Sequence, residues 1–439
     1  MRKWTVCLLI LAVLMLAVTA IAEEPQREVI TSGDWRYVVL DDGTVEINYY
    51  IGHEETLRIP DRVDGISVTR IGDYAFSRRE SLTSVTIPDG ITSIGDHAFS
   101  GCINLTDITI PNSVITMGAN PLVSCEKLTD IHISNDHPYL AVIDGVLFSK
   151  PDKRLVCYPN AKFDFLYEVP EGTLVIGENA FFAPQYLFSI KLPDSLKSIG
   201  DYAFERSFLS SITIPDSVEI IGANPFNLCE QLKNIQVSLE HSYLAVIDGV
   251  LFSKPDKRLV CYPCGKTNST YQIPKGIVTI GDNAFDSSKN LTNITISDSV
   301  KKISDSAFIF CENLSAITIP DSVTTLGQSA FRNCINLKNI TLSNNITMIE
   351  ILTFENCDSL TKVEIPDGIK SIDDIAFADC DNLISIKIPD SVTYIGFDPF
   401  YECNNLIITV PRNSYAAQYC KENNLNYTYP DANDWLTAP

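Results

Sequence analysis

The sequence predicts a repeat solenoid, a stack of short coils with parallel β-strands along one side. Three observations predict it. A six-residue phrase recurs, as Ile71-Gly72-Asp73-Tyr74-Ala75-Phe76, then ending at Phe99, Phe204 and Phe285 with few changes. Its final apolar residue returns as Phe76, Phe99, Leu122, Phe181, Phe204, Phe226, Phe285, Phe308, Phe331, Phe354, Phe377 and Phe400. Eight of the eleven spacings are 23 residues, one is 22 and two are 59. Between anchors the apolar positions keep their places, as in Leu82, Val85, Ile87, Ile91, Ile94 and Ala98. A unit this short cannot bury its own apolar side, whereas stacked units share a continuous core.

Taken in order, Arg2 and Lys3 precede an apolar run, Val6 to Val18, and Ala20-Ile21-Ala22 offers a small-residue cleavage site. Residues 1–22 therefore read as a signal peptide, with Glu23 as the new N-terminus. Residues 23–70 read as an N-terminal β cap: from 34 onward apolar and polar residues alternate, and Asp42-Gly43 marks a hairpin turn. The solenoid is expected over 71–411. In each unit Leu82-x-x-Val85-x-Ile87 alternates as a half-buried strand does, and Pro88-Asp89-Gly90 turns the chain. Ile91 to Ile94 reads as a second short extended piece, and Asp96 to Phe99 as a tight helical or 3₁₀ turn.

The two long spacings carry insertions near 134–170 and 238–274. Tyr139 to Pro159 and Tyr243 to Pro263 are identical and lie 104 residues apart, so a block of the solenoid has been duplicated. Asp144-Gly145 and Lys150 to Lys153 are turn signals, which predicts a β-ribbon projecting from the stack. Residues 412–439 read as a C-terminal cap and tail, with a short helix over Ser414 to Asn423 and an extended Leu425 to Tyr429; closed ends protect the edge coils from pairing with other chains.

The 23-residue unit resembles the BspA-type leucine-rich repeats, over roughly residues 71 to 411. The resemblance implies a leucine-rich repeat superhelix with its strands on the concave face. It also implies a secreted or surface-held protein, some members of the family acting as adhesins.

Composition narrows the partners. Lysine and arginine number 33 against 55 acidic residues, a net charge of −22, which repels nucleic acid and anionic membrane surfaces. No apolar run after residue 22 is long enough to span a bilayer, so no membrane insertion is expected after signal cleavage.

Cys102, Cys125, Cys229, Cys311, Cys334, Cys357, Cys380 and Cys403 fall three residues after their anchors, which predicts an interior ladder of small thiols. Neighbouring coils also bring such cysteines near disulfide spacing. Cys261-Tyr262-Pro263-Cys264 is a C-x-x-C sequence, but it ends a strand-like run rather than opening a helix, and the first copy carries Asn160 in place of the second cysteine. His97 takes a turn position; His137 and His241, in matching sites, read as surface loop residues. Asp89, Asp194, Asp216, Asp321, Asp367 and Asp390 read as turn formers, with weak calcium binding along the row as the other option. No nucleophile set, phosphate loop or metal-ligand spacing stands out, so the chain is expected to be no enzyme and to need no cofactor or metal.

Outward-facing strand positions remain as the ligand surface: Thr86, Thr109, His132, Lys191, Gln236, Thr295, Lys362, Glu364 and Lys387, with Tyr139 and Tyr243 from the insertions. The strand positions read off the repeat contain no tryptophan, tyrosine or arginine, the usual interface anchors. The expected function is adhesin-like recognition of an extracellular protein or glycan by a secreted chain, or one held at the cell surface through a partner. A passive structural spacer is the alternative.

Overall fold

The computed structural model describes residues 27–431; the expected signal peptide and the last eight residues of the tail lie outside that range. The chain is a β-solenoid whose coils each supply two short strands. Strands of three residues, from Thr56–Arg58 and Ser84–Thr86 to Ser385–Lys387 and Ile407–Thr409, line one face. Strands of two residues, such as Ser93–Ile94 and Thr116–Met117, line a second. Both pair in parallel with their counterparts in the next coil: Thr86 faces Thr109, Thr109 faces His132, and Ser93 faces Thr116. In each three-residue strand the middle side chain enters the core, as Val85 and Ile108 do, because side chains alternate across a strand.

The corner between coils explains the repeated phrase. Residues two before and two after the anchor take left-handed backbone angles, as in Tyr74 (φ 56°), Arg78 (φ 58°), Ser306 (φ 53°) and Phe310 (φ 53°). Alternate backbone N–H groups then point along the stack: Tyr74, Phe76 and Arg78 donate to the carbonyls of Asp96, Ala98 and Ser100 at 2.7–2.9 Å. The aspartate of the phrase accepts the backbone N–H of the next coil, 2.7 Å from Asp73 Oδ1 to Asp96 N. Its glycine is there for closeness: a Cβ on Gly95 would stand 2.4 Å from Asp73 Oδ1 and 2.7 Å from Asp73 N. The anchor rings stack through the core, Phe76 on Phe99 with centroids 4.9 Å apart and Phe308 on Phe331 at 5.2 Å.

The insertions do not project. Leu140–Ile143, Val146–Ser149 and Arg154–Cys157 form an antiparallel meander whose last strand joins Val175–Ile176 in the two-residue sheet. Its two faces enter different cores: Leu140, Leu147, Val156 and Cys157 pack on the coils before it. Val146, Phe148, Leu155 and Tyr158 pack on the coils after. The second copy, Leu244–Ile247, Val250–Ser253 and Arg258–Cys261, repeats this arrangement. Each insertion is a transverse partition, and the two divide the solenoid interior into three hydrophobic cores. A ribbon apolar on both faces is stable only when both are covered, and here the flanking coils cover them.

The partitions interrupt the backbone ladders, and side chains bridge the break. Arg154 donates to the carbonyls of Met117 and Gly118, at 2.7 and 3.1 Å, and Arg258 does the same for Ile221 and Gly222. Asn120 and Asn224 reach the carbonyls of Asn179 and Asn283, each 59 residues on. His137 and His241 are buried, against the expectation of loop exposure. In each, Nδ1 accepts two backbone N–H groups at 3.1–3.2 Å and Nε2 donates to a proline carbonyl at 3.1 Å. They fix the entry to the partition, and desolvation holds the His137 pKa below its ordinary value.

At the N-terminal end, Ile30–Ser32, Trp35–Val39 and Val45–Tyr50 pair antiparallel and continue the two-residue sheet through Ile66–Ile71. At the other end the helix Tyr415–Glu422, capped by Ser414, precedes Tyr427–Thr428, which pairs with Ile407–Thr409.

Candidate binding surfaces

Nine of the candidate ligand residues stand on the three-residue face with their side chains outward and exposed. Thr86, Thr109 and His132 form one column, which begins a coil earlier than the sequence suggested, with Arg58. Arginine is therefore present on the face. Lys191 pairs with Glu168 of the preceding coil at 3.3 Å, and Gln236 accepts from Thr213 at 3.2 Å. Lys362, Glu364 and Lys387 come together. They line a groove of about 520 Å³, with Asn339, Thr341 and Asp367, where the Asn339–Thr341 and Lys362–Glu364 strands are not paired. There Lys362 and Glu364 form an ion pair at 2.7 Å, which holds the Glu364 carboxyl below its usual pKa.

Thr295 lies in a second groove, of about 700 Å³, where the second partition meets the face. Asp248, Lys266, Thr270, Tyr271 and Gln272 line it, and Lys266 donates to the Asp248 carbonyl at 2.7 Å. Tyr139 and Tyr243 are not in these grooves. Each immediately precedes a partition strand of the two-residue sheet and is about a third exposed, so the structure separates them from the strand column.

The cysteines are free thiols throughout the described residues. Ladder members donate to the carbonyl of the anchor 26 residues upstream, Cys102 to Phe76 and Cys334 to Phe308 among them, at 3.2–3.3 Å. Burial pushes Cys102, Cys229 and Cys264 up to about 12. Burial also raises Cys261 of the C-x-x-C well above the usual thiol range, the reverse of what thiolate chemistry needs. Among the described residues no group of three or more histidine, cysteine or carboxylate side chains could hold a metal ion.

One surface feature escaped the repeat pattern. Phe163, Phe165, Tyr186, Phe188 and Phe208 are exposed and form a continuous row. Phe163 stands 5.0 Å from Tyr186 and 5.3 Å from Phe165; Phe188 stands 5.9 Å from Phe165 and 6.0 Å from Phe208, between ring centroids. Phe163 and Phe165 lie within the first insertion. The other three belong to ordinary units, and only lining up the two duplicated blocks would have drawn them together.

The sequence matches the BspA type leucine rich repeat region at residues 55–151, 157–254, 260–380 and 351–428. The chain belongs to this family. Among solved structures, a leucine rich cell surface protein from Faecalibacterium prausnitzii A2-165 is 29% identical, covering 89% of this chain and 96% of its own, with a TM-score of 0.49. A leucine-rich repeat protein from Eubacterium ventriosum is 24% identical, over 84% of this chain and 93% of its own, with a TM-score of 0.49. The pneumococcal vaccine antigen PcpA is 22% identical, over 92% and 98%, with a TM-score of 0.48. No curated protein matches the chain. Among the described residues no helix is long and apolar enough to cross a membrane.

Proposed function

We propose that this BspA-type chain is an exported, non-enzymatic binding protein that recognises an extracellular protein or glycan through its strand face. The observation that carries this reading is the groove at Lys362, Glu364 and Lys387, three outward side chains of two paired strands that border a break in the sheet. Hydrogen-bonding and charged groups gathered on a rigid scaffold are suited to orienting a polar ligand. The signal-like N-terminus and the family resemblance support export, with the mature chain secreted or held at the cell surface by a separate partner. Adhesion is the use such a surface would serve there.

The test is a binding screen of the chain from Glu23 to Pro439 on arrays of extracellular proteins and glycans. Beside it run Lys362→Ala/Lys387→Ala and Tyr139→Ala/Tyr243→Ala variants. A saturable hit weakened about tenfold in the lysine variant would support the groove as the site. A hit lost only in the tyrosine variant would move the site to the partitions. A folded chain silent on both arrays would leave the passive spacer as the reading.

A further inference from the structure

The duplicated block supplies its own control. Its two copies share fold, register and a 21-residue identical stretch, yet differ at the aromatic row. Phe163, Phe165, Leu166, Tyr186 and Phe188 correspond, 104 residues on, to Thr267, Ser269, Thr270, Asn290 and Thr292. Phe208, which precedes Leu209, corresponds to Asn313 before Leu314. Every apolar residue of the row is polar in the second copy, and the second copy folds into the same coils, with its three-residue strands paired continuously where the first copy's Ser189–Lys191 and Ser211–Thr213 are not. The scaffold therefore does not need the rings.

Their exposure costs solubility and gives the core nothing. Phe163 is 67%, Phe165 59% and Leu166 54% exposed, on a molecule whose other large apolar side chains are mostly inside. A contiguous exposed apolar patch of this kind marks an interaction site. The row also has an end socket, a pocket of about 320 Å³ between Arg206, Ser207, Phe208, Leu228, Glu230 and Gln231.

The charges at the rim identify the occupant. Lys162 is paired with Asp164 at 2.5 Å, Lys191 with Glu168 at 3.3 Å and Arg206 with Glu205 at 3.9 Å. Beside the rings Lys162 and Lys191 have counter-ions within the chain, so the row itself offers uncharged apolar area, and the charges without an ion-pair partner, Glu230 and Lys233, are of opposite sign and stand at the socket end. Four of its five rings are phenylalanine, without the polar handle that orients a sugar hydroxyl.

We infer that the row Tyr186–Phe163–Phe165–Phe188–Phe208 is a docking site for an uncharged, apolar peptide segment of another protein, one of whose side chains fills the pocket beside Phe208. This rests on the binding reading above and gives it a second surface, distinct from the lysine groove.

The experiment is selection of a displayed random dodecapeptide library on the full chain, with counter-selection on a Phe163→Thr/Phe165→Ser/Phe188→Thr variant. These substitutions install the residues of the second copy, so the variant keeps a fold the molecule already uses; an unchanged circular dichroism spectrum and melting temperature verify that. The expected result is a family of uncharged peptides rich in leucine, phenylalanine or isoleucine, bound saturably by the wild type and at least about tenfold more weakly by the variant. Peptides bound equally by both would overturn the proposal, as would enrichment of none. A dimer in sedimentation that the variant dissolves would overturn it in favour of a second copy, and a row-dependent glycan hit in favour of sugar. A ligand from the arrays that binds the variant unchanged sinks this site while leaving the general binding reading intact. Silence on arrays and library together sinks both.

Discussion

The cysteine ladder ties chemistry to position at the level of single residues. Each buried thiol fills a small space beside the anchor ring and gives its weak S–H to a backbone carbonyl of the preceding coil. Cys334→Ala is expected to cost about 1–2 kcal/mol, from lost contacts and the lost S–H bond to a Phe308 carbonyl that keeps the Cys311 N–H, measured by urea unfolding. In the native chain, thiol reagents at neutral pH should label Cys102, Cys125 and Cys334 only as fast as the molecule opens. Rapid labelling without denaturant would contradict their burial.

Two carboxyls in the corner stack behave in the opposite way to the surface acids. Desolvation raises Glu205 to about 7 and Asp286 to about 6. From roughly pH 4.5 to 7 the folded state then holds a proton on Glu205 that the unfolded chain has lost. This group's contribution to stability falls as pH rises through that window and is level above it. Glu205→Gln should therefore raise the melting temperature at pH 8, by a gain on the order of 2 kcal/mol, and leave it unchanged at pH 4. Equal effects at both pH values would rule out the ionisation as cause.

Among elements, the partition is the part that deserves perturbation. Arg154 satisfies two carbonyls that the interrupted ladder would otherwise leave unpaired, with its own charge balanced by Asp152 at 2.9 Å. Arg154→Ala should cost about 2–3 kcal/mol and speed hydrogen exchange in Thr116–Met117 before it affects distant coils. The corners offer a gain instead: Ile375 holds φ at 55°, an unfavourable angle for a β-branched residue, and Ile375→Asn should stabilise the chain by up to about 1 kcal/mol.

Legibility divides along the same lines. Period, strand positions and the thiol ladder could be read from the sequence because each coil solves the same packing problem with the same residue types. The partition could not: Leu147 and Phe148 are both apolar in a short run, and nothing local says that they enter two different cores. His137 misled for a related reason, since its neighbours Asp136 and Pro138 look like loop, while the carbonyl it binds belongs to Pro111, 26 residues away. The candidate surface was legible as a face but not as grooves, because nothing in the repeat marks the gap between Asn339–Thr341 and Lys362–Glu364 that opens one beside the lysines.

For the whole molecule, three cores in series imply unfolding that is not all-or-none. Repeat arrays gain stability from neighbour contacts, and a partition is where those contacts change character. Urea unfolding should be broad, and fluorescence of Trp35 in the first core should not coincide with the loss of total β-structure by circular dichroism. Superimposable transitions would mean that the partitions transmit cooperativity as well as ordinary coils do.

The likeness of the two partitions reaches beyond folding. Because Arg154 and Arg258 grip equivalent carbonyls, the coils before either partition fit the coils after the other. Their amino-acid sequences are identical over 21 residues, so an in-frame exchange between them would excise or add 104 residues without opening the stack. The shorter product would close neatly, lacking Phe163 through Phe208. Length variation in this molecule would thus be a genetic switch that removes one recognition surface and leaves the rest of the scaffold in place.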